Sequence, residues 1–214
     1  MELPASPATT LDALQQRLGD CGLQPAASRH GTALCWQGLR LGGSDSADID
    51  VELAVTPHPA ARQYGFMLFV GCTPALREQA RPLLDALAPA AGAWLWCGPR
   101  GAGRFCQRVF DAFLYINGPL LREAMQHGQT QPDWPAFFAS QLQLGQQLLA
   151  LAQQYRRAQH DDSQPELGAL LQEFARPPLQ HSHYALTLAR LLELGLGQQQ
   201  LTQGIFEQLL RPAP

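Results

Sequence analysis

The sequence predicts an α/β half followed by an all-helical half, with domains at 1–98 and 99–214 that meet near Gly98. Two observations carry this. Between Gly65 and Cys97 an apolar run, a helical stripe and a second apolar run follow one another, the order of a strand–helix–strand crossover in a parallel sheet. Beyond Gly98 the apolar residues recur at i, i+3 and i+4 spacing, the period of helices with one buried face.

Each element follows from its own signals. Thr9 or Thr10 caps a first helix running to about Gly22, with Leu11, Leu14 and Leu18 along one side. Short apolar runs at 33–36 and 51–55 read as strands, separated by the turn-rich Gly42-Gly43-Ser44-Asp45-Ser46. The run from Gly65 to Gly71 is continuously apolar between glycines, as a strand covered on both faces requires. Thr73 caps the next helix with Pro74 at its first position, and Leu76, Ala80, Leu83, Leu84 and Leu87 form its stripe. A second buried strand spans 93–97.

In the second half, Phe105, Val109, Ala112, Phe113 and Ile116 mark a helix that Gly118-Pro119 kinks without ending, because Leu120, Leu121 and Ala124 continue the stripe. Trp134 to Tyr155 forms a long amphipathic helix whose other face is mostly Gln. Leu167, Leu170, Leu171 and Phe174 give a third helix, 184–194 a fourth, and Leu201, Ile205 and Leu209 a fifth. Polar or proline-bearing loops fall at 129–133, 160–165 and 176–180.

Composition narrows the function. With 46% hydrophobic and 15% charged residues, 214 residues fold around a core rather than remain disordered. A net charge of −3 with scattered arginines provides no dense cationic face, so nucleic acid is not an expected partner. No apolar run reaches the roughly 18 residues of a spanning helix and no leader pattern opens the chain, so the expectation is a cytoplasmic protein without a membrane partner. The five cysteines lack C-x-x-C pairing and neighbouring histidines at ligand spacing; they read as reduced, mostly buried residues rather than a metal site. All 15 cationic side chains are Arg, which excludes a P-loop phosphate site and Schiff-base chemistry. The Arg-only, Ala/Leu/Gln-rich usage is that of a GC-rich bacterial gene.

Four places invite chemistry. Gly101 and Gly103 turn a strand into a helix, where backbone N–H groups and the helix dipole attract an anion. Arg100, Arg104 and Arg108 repeat along one side of this helix start, either strengthening an anion site or forming a solvated cationic edge. Asp48 and Asp50 lie at i, i+2 after the Gly42-Gly43-Ser44 turn, similar to a nucleotidyltransferase metal site. The spacer is too short for that fold's helical turn, and an acidic strand edge is the other reading. His181 and His183, if helical, diverge by about 200° and cannot share a metal, and His160-Asp161-Asp162 reads as the cap of the preceding helix.

From Gly65 to about Met125 the chain resembles the 6-phosphogluconate dehydrogenases and the wider β-hydroxyacid dehydrogenases. Three segments carry the resemblance: the strand ending Phe69-Val70-Gly71, the helix ending Arg81-Pro82-Leu83-Leu84-Asp85-Ala86-Leu87-Ala88-Pro89, and Cys97-Gly98-Pro99-x-Gly101-Ala102-Gly103-x-Phe105. They look like the last crossover of that family's cofactor domain running into its central helix. The resemblance implies a partial, parallel Rossmann-like sheet and places Gly42 and Gly43 at the family's substrate loop, with Leu41 where its Ser belongs. It also places Gln107, Asp111 and Leu114 where the family carries its general-base Lys, substrate-holding Asn and acid Glu. Gln and Leu titrate no proton near neutral pH, and the first 71 residues contain no G-x-G-x-x-G fingerprint. The expectation is therefore a non-catalytic binding or assembly protein without a cofactor, whose surviving ligand site for a phosphorylated or carboxylated metabolite is Gly101, Gly103, Arg100, Arg104 and Arg108. An NADP-dependent oxidoreductase with altered or partner-supplied residues is the second reading, and a helical adaptor the third. A shortened sheet also leaves an edge that a homodimer or a hetero-complex, formed through the helical domain, would cover.

Overall fold

The computed structural model describes residues 7–27, 33–43, 45, 48–56, 58, 60–115 and 134–197. Over these the chain is α/β with a helical C-terminal part. Its contacts fall into two compact units: unit 1 comprises Met1–Gln107 and Arg176–Ala185, and unit 2 comprises Arg108–Ala175 and Leu186–Pro214. One division between them falls after Gln107, inside a helix. A later segment also returns to the first unit, which the linear reading did not anticipate.

Unit 1 opens with α1 (Pro7–Asp20), which starts at a proline ahead of the expected Thr9 or Thr10 cap. There follow β1 (Ala26–Ala27), β2 (Ala33–Trp36), β3 (Leu39–Gly42), β4 (Val51–Thr56), the short α2 (Ala61–Tyr64), β5 (Met67–Gly71), α3 (Pro74–Leu87), β6 (Leu95–Gly98) and α4 (Ala102–Tyr115). The six strands hydrogen-bond in chain order. The sheet is mixed and not parallel as expected: β1–β2, β2–β3 and β4–β5 pair antiparallel, and only β3–β4 and β5–β6 run parallel. The parallel β5–α3–β6 unit is the part the sequence predicts. Strand β3 was missed because it is short and ends in the glycines that signalled a turn.

Alternation along β4 sorts its side chains. Val51, Leu53 and Val55 join the core that Leu14 and Leu18 of α1 share with Ala80, Leu83, Leu84 and Leu87 of α3. Glu52, Ala54 and Thr56 then point to the opposite face, as a period of two requires. Thr73 caps α3 by accepting the Leu76 N–H at 3.4 Å, with Pro74 at its first position. Arg17 fastens α1 across the unit, donating to the carbonyls of Arg62 (3.2 Å), Gln63 (2.9 Å) and Ala88 (3.4 Å). These are carbonyls at the ends of α2 and α3, which lack partners within their helices.

The returning segment packs on β6 through the 3-10 turn Pro178–Gln180. Arg77 donates to the Leu179 carbonyl at 3.3 Å while its guanidinium lies 4.5 Å over the Trp96 ring. The last strand of the sheet thus has a neighbour from its own chain, which weakens the argument that a second molecule is needed there. At the end of β6, Gly98 adopts φ +133°, and a Cβ there would run into the His183 ring. Gly98→Ala is expected to destabilise the unit by more than the roughly 1 kcal/mol of an ordinary glycine replacement, because backbone strain and a clash coincide. Denaturant unfolding checks this, and His183→Ala should recover the part due to the clash.

Unit 2 contains the remainder of α4, then α5 (Trp134–Ala158), α6 (Leu167–Phe174) and most of α7 (Tyr184–Gly197). Three of the expected helices are thus present. The proposed kink at Gly118-Pro119, the loop at 129–133 and the helix at Leu201, Ile205 and Leu209 lie outside the described residues. The 160–165 segment is a loop, as expected, and it carries an ion-pair cluster the sequence did not suggest. Asp161, 8% exposed, accepts from Arg190 (2.6 and 3.0 Å), Arg156 (2.8 Å) and Ser163 (2.7 Å). Arg156 also pairs with Glu193. Two cations and two anions thereby join the end of α5 to α7 within the unit.

Candidate functional site

The glycine turn is already occupied, and the carboxyl group that fills it belongs to the chain. Glu52 sits mid-strand in β4 with none of its surface exposed. Its Oε2 accepts the backbone N–H groups of Gly101 (2.7 Å) and Gly103 (3.2 Å), and its Oε1 accepts that of Arg104 (2.9 Å). These are donors at the start of α4 that no residue of the helix can satisfy. A carboxylate from a neighbouring strand therefore does here what an N-cap side chain does locally, and its charge complements the helix dipole.

The surrounding backbone is shaped to admit it. In the sheet register Glu52 stands between two glycines, Gly42 on β3 and Gly71 on β5. A Cβ on Gly71 would collide with Oε2 and lie 2.9 Å from the Pro99 carbonyl oxygen, while one on Gly103 would lie 2.7 Å from the Phe69 carbonyl oxygen. Gly101 has φ +91°, a conformation that other residues rarely adopt. The pKa of Glu52 is raised by burial. The N–H groups of Arg104, Gly101 and Gly103, together with the charge of Arg100, oppose this without cancelling it.

The expected site residues separate accordingly. Gly101, Gly103 and Gly42 come together, but around Glu52 instead of an open cavity. Gly43 faces open space. Arg100, Arg104 and Arg108 are exposed, and the Arg104 guanidinium pairs with Asp45, itself exposed, an arrangement worth little in water. The expectation of a free anion site at Gly101 and Gly103 is corrected for the backbone donors: they are spent on an internal carboxylate. A dinucleotide's phosphates do not fit there either, since they would meet a buried carboxylate and no free N–H at Gly101, Gly103 or Arg104.

Gln107 donates its side-chain amide to the Val55 carbonyl at 2.6 Å, fastening α4 to β4. The position the resemblance gives to a catalytic lysine thus holds a structural tie. Asp111 is half-buried on the same helix, and the side chain of Leu114 lies outside the described residues. Asp48 pairs with Arg40 and Asp50 accepts the Arg40 backbone N–H at 2.8 Å, so these carboxylates serve one arginine rather than a metal. Among the described residues no group of His, Cys, Asp and Glu is arranged to hold a metal ion.

Cysteines and histidines at this end of unit 1 are also structural. Burial pushes the Cys72 thiol up to about 12, and burial with a hydrogen bond to Cys106 raises that of Cys97, so neither is a nucleophile near neutral pH. His181 is buried with Nε2–H directed at the Arg176 carbonyl (3.0 Å), and its ring meets Tyr184 edge-on at 5.0 Å.

Glu52 is the residue that sequence reasoning missed. Its signal was a charge inside the apolar run Val51-Glu52-Leu53-Ala54-Val55, since an acid in a strand buried on both faces needs a partner. No protein-family model matches the sequence, and no curated protein matches it at a significant level.

Proposed function

We propose that this chain is a non-catalytic protein of the 6-phosphogluconate dehydrogenase-like kind, working by association with protein rather than by turnover. In this reading β5, α3 and β6 are the end of a former dinucleotide-binding domain and α4 is the start of its central helix. The observation that supports it best is the filled turn. The backbone donors that an acidic metabolite would need are held by Glu52, and Gln107, at the place of the general base, is committed to the Val55 carbonyl. Neither residue is left to bind a sugar acid or accept its hydroxyl proton.

Association through unit 2 is favoured by its exposed apolar side chains. Leu167 and Leu171 are 55% and 53% exposed one helical turn apart on α6, while Leu170 between them is buried. The test has two arms. Purified protein at high concentration is expected to reduce neither NAD nor NADP with 6-phosphogluconate or a small 3-hydroxy acid. Turnover that Gln107→Ala abolishes would overturn the non-catalytic reading. Sedimentation at micromolar concentration should show a dimer or a complex with a protein recovered from extract, and Leu167→Asp with Leu171→Asp should dissociate it without loss of helix. A monomer that recovers no partner would overturn the association.

A further inference from the structure

We propose that Glu52 is a tethered ligand: its carboxylate does for the β4–α4 junction what a bound anion does for an open strand-to-helix turn, and the junction closes only while that carboxylate is in place. The inference concerns how the turn is built and is independent of whether the chain is catalytic. A strand-to-helix turn with paired glycines presents converging N–H groups and a positive dipole end, and in an open site an anion from solution completes it. Here three features fit a carboxylate supplied from within. Both oxygens are engaged, Oε2 by Gly101 and Gly103 and Oε1 by Arg104, the pattern a bidentate anion makes. The side chain is wholly buried, so its carboxyl oxygens meet no water and have these N–H groups as partners instead. Gly71 and Gly103 leave only the room a carboxylate needs.

The tether explains why the group is Glu on a central strand and not Ser or Asp at the turn itself. A cap drawn from the turn would hold α4 only to its own preceding loop. Glu52 holds α4 to β4, far away in sequence, so capping the helix and docking it on the sheet become one event. Attachment also gives the carboxylate an effective concentration that no dilute metabolite matches, which makes closure independent of the solution outside.

Chemical complementation tests this. In Glu52→Ala the donors face a vacated space of carboxylate size, and formate or acetate should refill it. The expected result is a saturable rise of several degrees in the melting temperature of Glu52→Ala, with none in wild type or Glu52→Gln, and none with sodium chloride at equal ionic strength. Equal responses in all three proteins, or a Glu52→Ala variant that folds as stably as wild type and ignores acetate, would overturn the proposal. Should Glu52→Ala fail to fold even in acetate, backbone amide spectra of wild type and Glu52→Gln decide. The proton resonances of Gly101 and Arg104 are expected downfield in wild type and shifted upfield in the amide variant. Unchanged positions would mean that the carboxylate is not their acceptor.

Discussion

Replacing Gly71 with alanine is expected to destabilise unit 1 by about 3–5 kcal/mol, the range seen when a buried charge is parted from its partners. The added methyl would take the place of Glu52 Oε2 and press on the Pro99 carbonyl oxygen at 2.9 Å. The strand cannot yield without breaking its register with β4, so the carboxylate must leave the N–H groups of Gly101, Gly103 and Arg104. A double-mutant cycle isolates this cause. In a Glu52→Ala background the methyl meets no carboxylate, and the two changes should show an interaction energy of about 1–3 kcal/mol. Denaturant unfolding followed by tryptophan fluorescence in a Trp134→Phe background reports on the right unit, since the other three tryptophans, Trp36, Trp94 and Trp96, all belong to it. Additive costs would mean that Gly71 is required for the strand alone.

Asp161→Ala is expected to cost unit 2 a similar amount, about 3–5 kcal/mol, because it leaves the guanidinium groups of Arg156 and Arg190 together without the carboxylate between them. The same residue gives this unit its acid sensitivity. Hydrogen bonds from Arg190 first, and from Ser163 and Arg156, hold Asp161 below its ordinary 3.8 against the effect of burial. A depressed acid contributes in full above that ordinary value, and the contribution is lost as the pH falls towards the folded value. Glu52 has the opposite sign. Its pKa is raised above 4.5, so its contribution is largest below that value and declines as the pH rises through the folded pKa. As the pH falls below about 4, hydrogen-exchange protection should therefore decline at the end of α5 and in α7 while the start of α4 keeps its own. Loss of protection at α4 first would reverse this assignment.

How much of this was legible depends on how local each cause is. The β5–α3–β6 unit could be read because its signals lie within a few residues of what they specify: Thr73 and Pro74 at the helix start, a leucine stripe along it, glycines at the strand ends. The second-half helices that fall within the described residues were legible for the same reason. The direction of the other strands was not, because pairing is set by contacts across the sheet and nothing in 33–56 states whether neighbours run together or opposed. At the candidate site the reading found the socket without its occupant. Gly101 and Gly103 announce a place for an anion, but the anion comes from a strand about fifty residues earlier, and a carboxylate in an apolar run does not say which donors it will meet. Arg156, Arg190 and Glu193 were opaque for the same reason, and Asp161 read only as part of a cap on the helix before it.

The segment Arg176–Ala185 has a consequence for the order in which the protein can be made. The chain leaves unit 1 after Gln107, builds helices of unit 2, returns to lay 176–185 against β6, and leaves again at Leu186. During synthesis the sheet therefore emerges long before the piece that sits beside its last strand. At about 5–20 residues per second the nascent unit 1 waits for several seconds with β6 and Gly98 uncovered. That interval is when a neighbouring nascent chain or a chaperone has its best access to this strand. A fragment ending at Gln107 would keep that exposure permanently, so the first unit is better produced with 176–185 supplied in the same chain than cut at its apparent boundary.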